Sequence, residues 1–354
     1  MSNLKKCIVT SILICLCANL LACDNSSKPS LNDNIVKTDK IQIGITFDSY
    51  VIERWKREKD VFVSIAKELG AEVNVQNANG DIQSQKEQID YFIKKEMDVI
   101  VVVSMDSEGI KENVEKAIDR GIKVIAYDRL ISDTPVDLYL SFDNEAVGKQ
   151  MGNTLVQNGI KKGSKVIMLG GPLTDNNVTL VEEGFKKVMM ETGVEILDSI
   201  HAEGWKAEIA GTYIYEHLDT VVKADAIMCG NDNIASQVIH ALSEKRMTSQ
   251  ILVVGQDANL EACQCIVEGT QLMTVYKPVE KLAKLAAEYA VKIARGDNIN
   301  GNDVAMIANG AYTVPYIKLN PISVTEENMN EVIIKGRFHL KEDVYLNVPS
   351  KMPK

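Results

Sequence analysis

The feature that most constrains the fold is an alternation, from residue 40 onward, of short Val- and Ile-rich runs with stretches of helical spacing. A first series predicts strands at 41–47, 71–75, 99–103, 123–127 and 138–142, with helices at 53–69, 82–96 and 107–120. A second series predicts strands at 165–169, 195–201, 226–229, 251–254 and 272–276, with helices at 175–192, 206–219, 233–244, 259–267 and 279–295. Strands that alternate with helices form parallel sheets covered on both faces. A chain of 354 residues is long enough for two domains. We therefore expect an α/β protein with two lobes, each built on a doubly wound parallel sheet.

Polar or glycine residues follow six of the predicted strands. They are Asp48, Asp128 with Arg129, Gly170 with Gly171, Asn231 with Asp232, Gln256 with Asp257, and Lys277. In open parallel sheets, ligands bind beyond the carboxyl ends of the strands. One polar residue in a loop means little, but six such positions from both series predict one convergent site.

The side chains at these positions suit a neutral polyol. A sugar hydroxyl both donates and accepts hydrogen bonds, so carboxylates and amides serve as acceptors while Arg, Lys and Asn serve as donors. The apolar faces of a sugar also favour an aromatic platform. The chain has two tryptophans, Trp55 and Trp205, both near predicted junctions between loops and helices. Either could instead fill the core.

The N-terminal residues predict export. Lys5 and Lys6 precede an apolar run at 7–18, which is too short to span a bilayer and is typical of a signal peptide. Residues 20–23 (Leu-Leu-Ala-Cys) resemble the lipobox of bacterial lipoproteins, which predicts a signal at 1–22, a lipid on Cys23 and a tether at 23–39. The alternative is an ordinary secretory signal with an incidental Cys. We expect the protein at the outer face of the cytoplasmic membrane, which is the periplasm in a Gram-negative cell.

Several function classes are disfavoured. The formal net charge of −10 argues against a nucleic-acid partner. The sequence has no phosphate-binding loop, dinucleotide fingerprint or nucleophile elbow. Three cysteines beyond residue 23 form no disulfide framework, and the four histidines lack ligand spacing: Cys229, Cys263 and Cys265, and His201, His217, His240 and His339. We expect no enzyme, no metal and no cofactor.

Several longer motifs together resemble the type I periplasmic sugar-binding family, in particular its D-xylose-binding branch, over about residues 40–340. They are 52–55 (Ile-Glu-Arg-Trp), 76–80 (Gln-Asn-Ala-Asn-Gly), 126–129 (Ala-Tyr-Asp-Arg), 141–145 (Ser-Phe-Asp-Asn-Glu), 175–177 (Asp-Asn-Asn), 255–258 (Gly-Gln-Asp-Ala) and 273–278 (Met-Thr-Val-Tyr-Lys-Pro). The resemblance implies two lobes joined by a three-segment hinge that closes on the ligand. The implied crossings are near Asn144, Pro278 and Gly310. The lobes would be 40–144 plus 279–309 and 145–278 plus 310–340, followed by a tail at 341–354.

The resemblance also implies which residues bind the ligand. From the first lobe they are Arg54, Asp128 and Arg129; from the second they are Asp175, Asn177, Asn231, Asp257 and Lys277; and Trp55 and Trp205 would flank the sugar ring. For Asp175 and Asn177, a simpler interpretation is capping of a helix N-terminus, where Asp and Asn are favoured.

The implied ligand is a monosaccharide, with D-xylose first, bound by a monomer that delivers it to the permease of an ABC importer. Departures from the family pattern at Ser49, at 104–106 (Ser-Met-Asp) and at Asn233 leave the choice between pentose and hexose open. A membrane histidine kinase or a chemotaxis receptor is the alternative partner. A sugar-responsive repressor would carry a DNA-binding domain where the predicted signal lies.

Overall fold

The computed structural model describes residues 40–299, 301 and 303–354, so the predicted signal, Cys23 and the tether lie outside the described residues. The described residues form strands β1 (Gln42–Phe47), β2 (Glu72–Asn77), β3 (Val99–Val102), β4 (Lys123–Tyr127), β5 (Leu138–Phe142), β6 (Lys165–Gly170), β7 (Glu195–His201), β8 (Ala226–Cys229), β9 (Leu252–Gln256), β10 (Met273–Tyr276), β11 (Ala305–Asn309), β12 (Tyr312–Leu319) and β13 (Ile322–Val324). The α-helices are α1 (Arg54–Glu68), α2 (Ile82–Lys94), α3 (Lys111–Asp119), α4 (Asn144–Gln157), α5 (Asn176–Thr192), α6 (Glu208–Glu216), α7 (Leu218–Val221), α8 (Asp232–Glu244), α9 (Leu260–Glu268), α10 (Val279–Ala294) and α11 (Lys341–Val344).

The strands form two sheets. The seven-stranded first sheet has the order β11-β12-β5-β4-β3-β1-β2, and the six-stranded second sheet has the order β13-β10-β9-β8-β6-β7. Neighbouring strands are parallel except for the pairs β11–β12 and β10–β13, which are antiparallel. The prediction of two doubly wound parallel sheets is therefore confirmed, with antiparallel strands that the pattern did not predict.

Two predicted helices differ in detail from the structure. The helix expected at 107–120 begins at Lys111, because the Asp106 carboxylate accepts hydrogen bonds from the backbone N–H groups of Glu108 and Gly109 and holds a turn there. The helix expected at 206–219 is divided into α6 and α7 at His217, whose backbone is not helical. Local hydrogen bonding and a single backbone irregularity decide both differences.

The third crossing between the sheets was predicted near Gly310, but the structure places it elsewhere. Gly310, with a φ of +60°, forms the tight turn between β11 and β12. Strand β12 then pairs with β5 in the first sheet, and β13 pairs with β10 in the second. The chain therefore crosses between Leu319 and Ile322. The prediction was wrong because a glycine that permits positive φ serves a hairpin turn as readily as a crossing.

The helix pair α4 and α5 depends on glycine at the contact. A Cβ on Gly148 would lie 1.8 Å from the backbone oxygen of Val181, and one on Gly184 would lie 2.0 Å from that of Glu145. This close approach fixes the N-terminus of α5, and therefore Asn177, against the end of the first sheet. No helix among the described residues is long and apolar enough to cross a membrane.

Candidate ligand-binding site between the two sheets

The loops beyond the carboxyl ends of the two sheets contact each other directly. The Asn177 side chain on α5 donates to the backbone oxygen of Asp128 at 3.1 Å and to its carboxylate at 3.0 Å. Nearby, the Leu130 N–H donates to the Asn176 side chain at 2.9 Å. Because Asp128 directly follows β4, these bonds join the end of the first sheet to the N-terminus of α5, the helix that follows β6.

Arg129 lies at the centre of one buried charge cluster. Its Nη1 atom donates to Asp48 at 2.8 Å and to the backbone oxygen of Ser104 at 2.9 Å, and its Nε atom is 2.7 Å from the Asp175 carboxylate. Burial disfavours the charged form, but the carboxylates of Asp175 and Asp48 outweigh it and raise the pKa of Arg129 above its usual value. Asp48 belongs to the first sheet and Asp175 to the second, so this guanidinium bridges both.

Arg54, the first residue of α1, forms a second cluster. Its guanidinium is paired with Asp128, lies 3.3 Å from Glu58 Oε1 and 3.9 Å from Asp257 Oδ1, and stacks 4.0 Å from the centroid of the Trp55 ring. Burial opposes the charge of Arg54, yet the Asp128 carboxylate, followed by Glu58 and Asp257, raises its pKa. Burial likewise tends to raise the pKa of Asp128, but Arg54 more than offsets this and the value lies below normal.

The second sheet adds a cation of its own. Lys277 follows β10, and its Nζ atom lies 3.4 Å from Asp257 Oδ1 and 5.9 Å from the centre of the Phe142 ring. Lys277 is 4% exposed and Asp257 is 5% exposed. Asp257 therefore lies between Lys277 of the second sheet and Arg54 of the first.

Three of the predicted site residues have a strained backbone. Asp128, Trp205 and Asp257 have φ values of +65°, +59° and +97°, in the left-handed region that residues with a Cβ rarely occupy. Each such residue costs of order 1–3 kcal/mol, and strain of this kind clusters at functional sites. We infer that the backbone strain is the cost of directing these three side chains between the sheets.

The two tryptophans have different surroundings. Trp55 has no exposed surface and packs against Phe47, at 6.2 Å between ring centroids. Trp205 lies against Gly171 at the end of β6, where a Cβ would come within 2.3 Å of the indole ring. Trp55 therefore mainly fills the core. The Trp205 ring packs directly on the backbone of Gly171, which is possible only because glycine has no Cβ.

Helix capping places two of the remaining residues. Asp175 accepts from the Asn177 N–H at 3.0 Å and caps α5, as the simpler interpretation predicts, while it also contacts Arg129. Asn231 accepts from the Ile234 N–H at 2.9 Å and caps α8. Asn177 is not a cap, because its side chain reaches across to Asp128.

Several buried polar atoms of this cluster have no hydrogen-bond partner among the described residues. They are Arg54 Nη1, Trp55 Nε1, Glu58 Oε1, Arg129 Nη2, Asn144 Oδ1, Trp205 Nε1 and Asp257 Oδ1. Buried polar atoms are normally paired, because leaving one unsatisfied costs roughly 1–3 kcal/mol. Arg54 Nη1 and Glu58 Oε1 lie 3.3 Å apart, and the other unpaired donors and acceptors suit a ligand that can both accept and donate.

Sequence reasoning left out four residues that the structure places in or behind the cluster. Asp48 contacts Arg129 and Asn144 contacts Asn177. Glu58 contacts both Arg54 and Tyr127. Asp48 was visible as a residue after a strand. Glu58 could have been found because residues four apart share a helix face.

Comparison with known proteins places the chain in a family. Residues 43–298 match the model of the periplasmic binding protein domain. The chain is 39% identical to the D-xylose-binding periplasmic protein of Haemophilus influenzae, covering 86% of this chain and 92% of that protein. It is 35% identical to the protein of the same name from Escherichia coli, covering 95% and 99%. A solved carbohydrate transporter solute-binding protein from Chloroflexus aurantiacus, in complex with D-glucose, superposes with a TM-score of 0.79 at 25% identity, covering 86% of this chain and 98% of that one. The chain therefore belongs to the periplasmic binding protein family.

Proposed function

We propose that this protein is an extracytoplasmic solute-binding protein that holds one monosaccharide, D-xylose first, between its two sheets and delivers it as a monomer to an ABC importer. The observation that carries the proposal is the buried cluster of charges from both sheets, with hydrogen-bond donors and acceptors left unpaired. The names of the two D-xylose-binding relatives support the choice of sugar.

The charge pattern favours a neutral ligand. The three buried cations Arg54, Arg129 and Lys277 each lie within 4 Å of at least one carboxylate. An anionic ligand would have to compete with those carboxylates, whereas a sugar hydroxyl can accept from an arginine N–H and donate to a carboxylate at the same time. We therefore propose as ligand contacts Arg54, Trp55, Asp128, Arg129, Asp175, Asn177, Trp205, Asn231, Asp257 and Lys277.

The site binds its ligand without chemical change, as expected for a family of binding proteins. Membership of that family confirms the prediction that the chain is not an enzyme. We propose that the ligand enters when the two lobes separate about the three chain crossings, and that binding favours the closed form because the ligand contacts both lobes.

Isothermal titration of the mature protein with a panel of pentoses and hexoses tests the proposal. We expect D-xylose to bind with a stoichiometry of one and more tightly than the hexoses. Tighter binding of a hexose would change the sugar but not the function. No heat with any monosaccharide would refute sugar binding.

We further propose that Cys23 carries a lipid that anchors the protein, on the evidence of residues 20–23. Cys23→Ser should move the protein from the membrane fraction to the soluble fraction, and the sugar affinity of the released protein should not change. Cys17→Ser, within the same signal segment, is the matched control and should stay with the membrane. Membrane retention of Cys23→Ser would contradict the anchor.

A further inference from the structure

Glu58 is a buried carboxylate beside the site, and it is not one of the proposed sugar contacts. It lies one turn after Arg54 on α1 and is 1% exposed. Its Oε1 atom is 3.3 Å from Arg54 Nη1, and its Oε2 atom accepts a hydrogen bond from the Tyr127 hydroxyl. Tyr127 directly precedes Asp128. Glu58 therefore contacts one proposed sugar-binding residue, Arg54, and the chain neighbour of another, Asp128.

The position of Glu58 affects the direction of the Arg54 guanidinium. The Nη2 atom of Arg54 pairs with Asp128, its Nε atom lies 3.9 Å from Asp257 and its Nη1 atom lies 3.3 Å from Glu58, while the Trp55 ring covers one face. Because the guanidinium is planar with its donors in a fixed fork, an acceptor beside Nη1 helps to fix the direction of the other N–H groups. Arg54 Nη1, the atom nearest Glu58, has no hydrogen-bond partner among the described residues.

The charged and titratable groups that face Glu58 come from three elements. Arg54 lies on its own helix, Tyr127 and Asp128 lie at the end of β4, and Asp257 follows β9. Burial, which outweighs the attraction of Arg54, raises the pKa of Glu58 to about 8, and the Tyr127 hydroxyl acts to lower it. The protonated and ionised forms of Glu58 therefore interconvert near neutral pH.

We propose that Glu58 is a positioning residue of the cleft, whose ionised form fixes Arg54 for the ligand and thereby makes ligand affinity rise with pH. The inference rests on the proposed sugar-binding function. Ionised Glu58 attracts the Arg54 guanidinium across 3.3 Å, accepts from Tyr127, and so holds the guanidinium in one orientation, whereas the protonated carboxyl holds it less firmly. A pre-organised Arg54 loses less freedom when the ligand binds. Binding must then release protons over the range in which Glu58 titrates.

The test is titration of the wild-type protein with D-xylose between about pH 7 and pH 9, repeated at each pH in buffers of different ionisation enthalpy. We expect affinity to rise about fivefold across this range, with proton release at the midpoint. A flat affinity profile without proton exchange, or tighter binding at the lower pH, would overturn the inference. Absence of binding at every pH would instead refute the proposed function, so the two failures are distinct.

Two variants separate Glu58 from the other titrating groups, which include Asp232. Glu58→Gln should weaken binding at pH 9 and abolish both the pH dependence and the proton release. Tyr127→Phe removes the hydroxyl that lowers the pKa of Glu58, so it should move the midpoint of the profile to higher pH. A wild-type profile in Glu58→Gln, or an unshifted midpoint in Tyr127→Phe, would assign the pH dependence to another group. If Glu58→Gln fails to fold, the wild-type proton release and the Tyr127→Phe midpoint decide the question.

Discussion

The two sides of the cleft are built differently. The first sheet contributes two arginines, Arg54 and Arg129, whose guanidinium groups reach carboxylates on both sides. Apart from Lys277 and Trp205, the second sheet contributes short side chains that are also held by local backbone geometry: Asp175 caps α5, Asn231 caps α8, and Asp257 has a φ of +97°. The first side therefore makes the long-range links, and the second side holds its polar groups in place through local backbone geometry.

This difference implies unequal consequences of mutation. Removing an arginine of the first side leaves buried carboxylates on both sides without a partner, and breaking a buried ion pair is strongly destabilising, by about 3–5 kcal/mol. Removing a short side chain of the second side takes away fewer contacts, as with Asp257, whose partner Lys277 belongs to the same side. Affinity measurements on matched variants can test this order.

Arg129→Ala should have the largest effect, because it removes the partner of Asp48, Asp175 and the Ser104 carbonyl together. We expect at least a hundredfold loss of sugar affinity, or about 2.8 kcal/mol, measured by isothermal titration. Arg120→Ala, which removes an exposed arginine at the end of α3, is the control and should bind normally. If the sugar affinity of Arg129→Ala is within about threefold of wild type, the ion pairs of the first side do not determine binding.

Asp257→Ala tests the second side, because it removes an acceptor shared by Arg54 and Lys277. The expected loss is at least tenfold, or about 1.4 kcal/mol, and smaller than that of Arg129→Ala. Asp219→Ala, an exposed carboxylate on α7, provides the matched control for titration. A loss larger than that of Arg129→Ala would reverse the order of the two sides.

Trp205→Ala and Trp55→Ala compare the tryptophan of each side. Trp205→Ala should cost at least tenfold in affinity, about 1.4 kcal/mol, and should lower stability less than Trp55→Ala because Trp205 is 7% exposed. Trp55→Ala should lower the free energy of unfolding by about 3–5 kcal/mol, since Trp55 is fully buried beneath Arg54. Urea unfolding followed by sugar titration measures both quantities. Unchanged affinity in Trp205→Ala would remove this residue from the site.

The smallest effect concerns one buried acid on each side. Burial raises the pKa of Glu58 and of Asp232 to about 8, from ordinary values of 4.5 and 3.8. At pH values between the ordinary pKa and the raised pKa, the folded protein binds more protons than the unfolded chain. The free energy of unfolding should therefore fall as pH rises toward 8. Glu58→Gln should make this slope shallower by up to about 1.4 kcal/mol per pH unit in urea unfolding.

The range for that measurement begins above about pH 6.5, because burial lowers the pKa of His339 and its contribution below that point has the opposite sign. The remaining slope in Glu58→Gln belongs to the second side, where Asp232 accepts from Thr274 at 2.7 Å and Gln271 at 3.0 Å. An unchanged slope in Glu58→Gln would show that Glu58 is ionised throughout this range.

The sequence was sufficient to predict strands β1 to β10 and the polar residues that follow several of them, but not strands β11 to β13. Strand runs and helix spacing are local signals, and the carboxyl ends of parallel strands must lie at one edge of a sheet. Asp128, Arg129, Asp257 and Lys277 were therefore recognisable as a group before their contacts were known. The signal peptide and Cys23 remain predictions from the sequence.

Only the tertiary structure decided the third crossing, the pairing of charges across the cleft and the position of Glu58. Strand pairing placed β12 beside β5, because hydrogen bonds between strands join residues far apart in the chain. The same holds for Arg129, whose partners Asp48 and Asp175 follow strands of different sheets. Local pattern determines which residues reach the cleft, but which of them touch depends on how two separately folded sheets face each other.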